Sequence, residues 1–185
     1  MRLVHLFPIA AAIALSACGS SDSGEAAGDA KPMSKDEVSA KAGSMIHQKP
    51  GQYETQAELI DFTIPGMSDE RAKQMKGMFA GALEKGNNYC LTKEDADKGP
   101  EQMLQQIAEA DCTVNQLDVQ GAKINADMQC NAAGDKPGDF KISGTLEEEG
   151  SDLTMQIAQP IPNMPGDAKM TMKLRMKSRR IGDCT

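Results

Sequence analysis

The chain is expected to fold as α+β, mainly β. The expected architecture is one curved antiparallel sheet, partly closed in a barrel-like or half-barrel form, packed against two or three short helices and held by two disulfides. Three observations carry this expectation. Apolar residues alternate with polar ones through most of the second half, which is the period of a half-buried strand. Helical spacing is concentrated before residue 110. Four cysteines, Cys90, Cys112, Cys130 and Cys184, form an even set beyond the N-terminal region.

Residues 1–17 read as a signal peptide: Arg2 supplies the positive start, Leu3 to Leu15 the apolar run, and small residues precede the cut. That mostly apolar run of thirteen residues falls short of the ~20 residues a membrane-spanning helix needs. Leu15-Ser16-Ala17-Cys18 matches the bacterial lipobox, in which the cysteine thiol is diacylated and the new N-terminal amine is acylated after cleavage. Three acyl chains exceed the two signals that stable anchoring requires. Gly19 stands where an aspartate would favour inner-membrane retention, so the expected address is the outer membrane, facing the periplasm. Residues 18–33 are then the lipidated cysteine and a disordered tether, since "GSSDSGEAAGDAKPM" has almost nothing to bury. Residues 34–185 are left as a single globular domain.

Within that domain, Ser34 and Glu37 form a capping box that opens a helix from 34 to about 46, ended by Lys49-Pro50-Gly51. From Gln52 the chain alternates through Tyr53, Thr55, Ala57 and Leu59, then shifts phase to Ile60, Phe62 and Ile64. This predicts a long strand with a bulge, stopped by Pro65-Gly66. Ser68 caps the clearest helix, with Ala72, Met75, Met78, Phe79, Ala82 and Leu83 at helical spacing and Gly86 as its stop. One or two helical turns should follow Cys90, where Thr92 and Asp95 form a box-like pair and Met103, Leu104 and Ile107 a stripe.

The segment 112–130 carries a turn signal at Gln120-Gly121, and its two cysteines lie symmetrically about residue 121, as across a three-residue hairpin loop. Its first arm changes parity between Val114 and Leu117, which predicts a bulge. Of the three possible pairings, this pattern favours Cys112 with Cys130 and leaves Cys90 with Cys184. Alternation on both sides of Glu149-Gly150 predicts a second hairpin, and "QPIPNMPG" an extended surface loop. In the final strand Met170, Met172, Leu174 and Met176 point one way, while Lys169, Lys173, Arg175 and Lys177 point the other.

Composition excludes several functions. After Ala17 there are 19 basic and 27 acidic side chains, and an acidic chain of this kind does not seek nucleic acid. His47 is the one histidine of the mature chain and no CxxC pair occurs, so neither a zinc site nor a nucleophile-histidine pair is expected. Gly81 and Gly86 have phosphate-loop spacing, but Asn87 and Asn88 replace the required Lys and Ser/Thr. Asp95 and Asp97 begin a calcium-loop pattern that fails at Pro100 and Gln106. No cofactor is expected.

"KPGQYE" (Lys49 to Glu54), "CLTKEDA" (Cys90 to Ala96), the middle cysteines and the ending "RRIGDC" (Arg179 to Cys184) occur in an order and spacing that resembles the domain of unknown function 3617 family, envelope proteins of proteobacteria. The resemblance covers residues 49 to 184. Tyr53 departs from the family's expected tryptophan and keeps an aromatic. The resemblance implies fold and location, and brings no catalytic or binding residues with it.

Three function classes remain. Catalysis finds no motif. Thioethers at Met164, Met170, Met172 and Met176 suit Cu(I) or oxidant handling, but period two explains them as strand residues of one buried face. Binding is the reading favoured by the sequence: a non-catalytic, lipid-anchored periplasmic interaction domain, with an envelope protein or lipid as partner besides its own membrane. Its candidate ligand-facing residues are Met155, Met170, Met172 and Met176, which could line a cavity for a small apolar ligand. Its candidate basic contact face is Lys169, Lys173, Arg175 and Lys177.

Overall fold

The computed structural model describes residues 31–83, 86–131, 137–162 and 168–184. The signal peptide, Cys18, most of the tether and Met164 lie outside the described residues. Seven strands form one antiparallel sheet: β1 (Gly51–Thr63), β2 (Asn87–Leu91), β3 (Cys112–Gln120), β4 (Lys123–Cys130), β5 (Gly138–Glu147), β6 (Gly150–Pro160) and β7 (Lys169–Gly182). Their spatial order is β2-β1-β7-β6-β5-β4-β3, and the sheet remains open, with β2 and β3 at its edges.

Three bulges set the register. Asn115 is an extra residue in β3 between the pairs Val114↔Met128 and Gln116↔Asp127, so Val114 and Leu117 are both buried although three positions apart. The β3–β4 turn is consequently two residues long, Gly121 and Ala122. Gly121 has φ 57°, which a side chain at the first central position of a two-residue turn tolerates poorly. Ile60 and Ile181 are the extra residues along the β1–β7 ladder. Both are exposed, because the bulge places them outside the alternation. The phase shift in β1 thus falls where the sequence places it, with Leu59 and Phe62 inward and Ile60 outward.

Helix α1 (Lys35–Ala42) begins with the capping box complete: the Glu37 amide donates to Ser34 Oγ, and Glu37 Oε2 accepts from the Ser34 amide at 2.8 Å. It ends at Gly43, short of residue 46, where the Ser44 hydroxyl donates to the Lys41 carbonyl and competes with helix propagation. Helix α2 (Asp69–Leu83) stops before Gly86, whose φ is 59°. Helix α3 (Lys93–Glu109) is much longer than the expected one or two turns. Thr92 caps it, Gly99 kinks it at φ 32°, and Pro100 opens the second segment, a position that needs no amide donor.

The main core lies where α1 and α3 meet β3 and β4. Val38, Ala42, Val114, Leu117, Ile124, Ala126, Met128 and Cys130 are buried there, with Phe140, Ile142 and Leu153 packed against them. Two disulfides join Cys112 to Cys130 and Cys90 to Cys184. The first spans directly opposed residues of one hairpin, and the second ties β2 to the end of β7. A further knot holds the start of β1. Tyr53 is fully buried, stacks on Tyr89 at 5.4 Å, and its hydroxyl donates within reach of the Lys49 and Glu148 carbonyls, 2.8 and 3.1 Å away.

Candidate functional site

Antiparallel register places side chains of paired residues on the same face. From β1 to β4 the row Phe62, Met172, Ile157, Phe140, Met128 is continuous, as is the row Leu59, Leu174, Met155, Ile142, Ala126. Met176 pairs with Leu153, and Met170 with Gln159. Met155, Met170, Met172 and Met176 therefore share one apolar face, as the sequence alternation implies.

That face is covered unevenly. At the β3–β4 end its residues are buried beneath α1 and α3. At the β1 end, α2 packs on the strand, and Phe79 lies 5.3 Å from the ring of buried Phe62. At a third side, the segment leading into β1 crosses the β5–β6 turn, with the Lys49 amide donating to the Glu148 carbonyl and Gln48 Nε2 to the Gly150 carbonyl. Between these supports, Met155, Ile157, Met170, Met172, Leu174 and Met176 are only half-buried and belong to neither buried cluster. This differs from the expectation that period two alone makes them core. The sheet is wider than its helical cover, so its middle keeps apolar surface in partial contact with solvent.

The opposite face carries the basic row, and its cations are largely paired. Arg175 donates to both Asp152 carboxylate oxygens, at 2.8 and 2.7 Å, and Lys177 lies 3.9 Å from the same group. Lys169 pairs with Asp139, and Arg179 with Glu54 at 3.2 Å. Lys173 makes no ion pair or hydrogen bond among the described residues. Arg175 beside Asp152 holds that carboxyl below its ordinary range. For Asp139, burial pushes upward, but hydrogen bonds from Lys169 and Gln129 outweigh it and the carboxyl sits low. These opposite-charge neighbours were missed from sequence: Glu54, Asp139 and Asp152 lie far from the basic row along the chain, and only register brings them together. A concavity of about 400 Å³ opens on this face, lined by both signs of charge, among them Glu54, Glu147, Asp152, Lys177 and Arg179. The row is thus a charge-balanced surface with one free lysine.

Among the described residues, no three His, Cys, Asp or Glu side chains gather where they could hold a metal ion. No helix among them is long and apolar enough to cross a membrane.

Fold and faces together define an open antiparallel β-sheet domain with two disulfides and a partly uncovered apolar surface. Residues 48–184 match the family model described as "Protein of unknown function (DUF3617)", and the chain belongs to that family. No curated protein and no solved structure matches it.

Proposed function

We propose that this chain is a lipid-anchored envelope protein of the periplasm, held by Cys18 at the outer membrane, whose folded domain binds an apolar partner without performing chemistry. The observation that carries the binding reading is the half-buried middle of the sheet, where Met155, Ile157, Met172 and Leu174 lie between two helical covers. Concave or incompletely covered apolar surface is where ligands and partners gain most from leaving water. Methionine suits such a surface because its unbranched, polarisable side chain adapts to varied occupants. The paired basic row supports a supporting role for the other face: its charges keep a wide, long-stranded sheet soluble.

The test is a native mass spectrum of residues 18–185 with Cys18→Ser, exported to the periplasm and purified gently. A copurifying apolar mass, or saturable uptake of a fluorescent acyl probe, supports the reading. A bare protein that takes up no probe overturns it.

A further inference from the structure

Helix α2 carries more apolar surface than its contact with the sheet uses. Its half-buried residues Ala72, Met75, Lys76, Ala80 and Leu83 face inward, yet no residue of the helix is fully buried. Met78 is 71% exposed and Phe79 42% exposed, the former the most exposed large apolar side chain of the described residues. Arg71, Met75, Met78 and Ala82 recur at i, i+4, i+7 and i+11, so they form one flank, with a cation at its N-terminal end. Arg71, on this flank, and Lys73, on the opposite side of the helix, are exposed and make no ion pair or hydrogen bond among the described residues. The helix's acidic residues, Asp69 and Glu70, are confined to its first turn, at the positive end of the helix dipole.

We propose that this flank of α2 docks on the phospholipid surface to which the domain is tethered, with Met78 entering the interface and Arg71 meeting lipid phosphates. The proposal rests on the anchored reading of Cys18, which supplies the occupant: a bilayer is always within reach. From Cys18 to Met33 the chain spans at most about 50 Å. Met33 is fixed to β3, its amide donating to the Val114 carbonyl at 2.8 Å. In the strand order β3 is five places from β1, the strand on which α2 packs, about 24 Å across the sheet. The tether is thus long enough to let α2 touch the same bilayer. An exposed cation beside an apolar side chain, as Arg71 stands beside Met78, is a pattern by which a surface helix binds anionic headgroups.

The test uses the unlipidated protein, residues 18–185 with Cys18→Ser, and vesicles of phosphatidylethanolamine with a minority of phosphatidylglycerol. The protein should float with these vesicles, more weakly in high salt, and Met78→Glu should weaken association about tenfold. The chain has no tryptophan, so Met78→Trp gives a single tryptophan, excited selectively over the two tyrosines, whose emission should move to the blue on binding. Met78 is exposed enough that both substitutions leave the fold unchanged, which circular dichroism checks. Absence of flotation, equal binding by Met78→Glu, or a Met78-dependent dimer in place of vesicle binding would overturn the proposal. Fractionation of cells carrying Cys18→Ala separately tests the anchor: release to the soluble fraction supports it, and its failure leaves the vesicle result readable by itself.

Discussion

Cys112 and Cys130 face each other directly across β3 and β4 because Asn115 is an extra residue in β3. Without that bulge, the two-residue turn at Gly121-Ala122 would set Cys130 opposite Thr113. Local insertion and covalent bond are therefore coupled. Deleting Asn115 should straighten β3 and keep Cys112 opposite Cys130, so the disulfide still forms, whereas inserting a second residue beside Asn115 should misalign the pair and leave two thiols that react with a maleimide in the folded protein. Replacing both cysteines by alanine should cost about 3 kcal/mol in the chain-entropy account, read as a lower urea midpoint.

The bond between Cys90 and Cys184 closes a much longer loop, with a sequence separation of 94. Its loss is expected to cost more, about 4.6 kcal/mol on the same account. Comparing melting of the two double-alanine variants under non-reducing conditions checks the order; equal melting temperatures would reject it.

Gly144 sits in β5 with φ 148°, and a Cβ there would collide with the carbonyl of Asp152 on the neighbouring strand. Gly144→Ala is expected to destabilise by about 3 kcal/mol through strain and forced separation of β5 from β6. Hydrogen exchange should then rise along both strands before it rises in β1.

Tyr53→Phe keeps the stacked ring and the volume but removes the hydroxyl that reaches the Lys49 and Glu148 carbonyls. A loss of about 1 kcal/mol is expected. Tyr53→Ala should cost about 3 to 5 kcal/mol, because it also leaves a cavity. A thermal-melting series of the two variants separates hydroxyl from ring.

Acid should weaken the polar face. Asp152 is held low by its hydrogen bonds from Arg175. Asp139 is also low, since the hydrogen bonds from Lys169 and Gln129 outweigh the upward push of burial. A carboxyl with a lowered folded pKa stabilises above its unfolded value, about 3.9, and that stabilisation is lost as pH falls through the folded value. The pairs are largely solvent-exposed, so each effect is small. Asp152→Asn is expected to lower the melting temperature at neutral pH, and the difference should shrink as pH falls through the lowered folded value of Asp152.

The legible part of this fold was written in short-range pattern. Alternation placed the long strands, the parity change between Val114 and Leu117 marked one bulge, and the shift after Leu59 marked another. The capping box at Ser34 fixed the start of α1. Long-range register carried what was missed. Nothing near Arg175 in the chain names Asp152 as its partner, and alternation alone does not tell whether Met155 and Met172 are covered by a helix. The length of α3 was underestimated, although the stripe Met103, Leu104 and Ile107 falls within it, because the chain kinks at Gly99 and a second helical segment starts on the proline. The sheet's openness was likewise a matter of width against helical cover, which depends on where three helices settle.

The bridge from Cys90 to Cys184 makes a covalent ring of everything between them, including α3 and the strands β3 to β7. A protease that nicks any one loop of this ring leaves the fragments attached, and the nicked protein would run as an intact chain until it is reduced. Strand β1 lies outside the ring but is hydrogen-bonded to β2 and β7, the strands whose ends the bridge joins. A single cut in a surface loop therefore releases no piece of the ring, and damage to this protein in a protease-rich compartment would accumulate as silent breaks before any part of the sheet is lost.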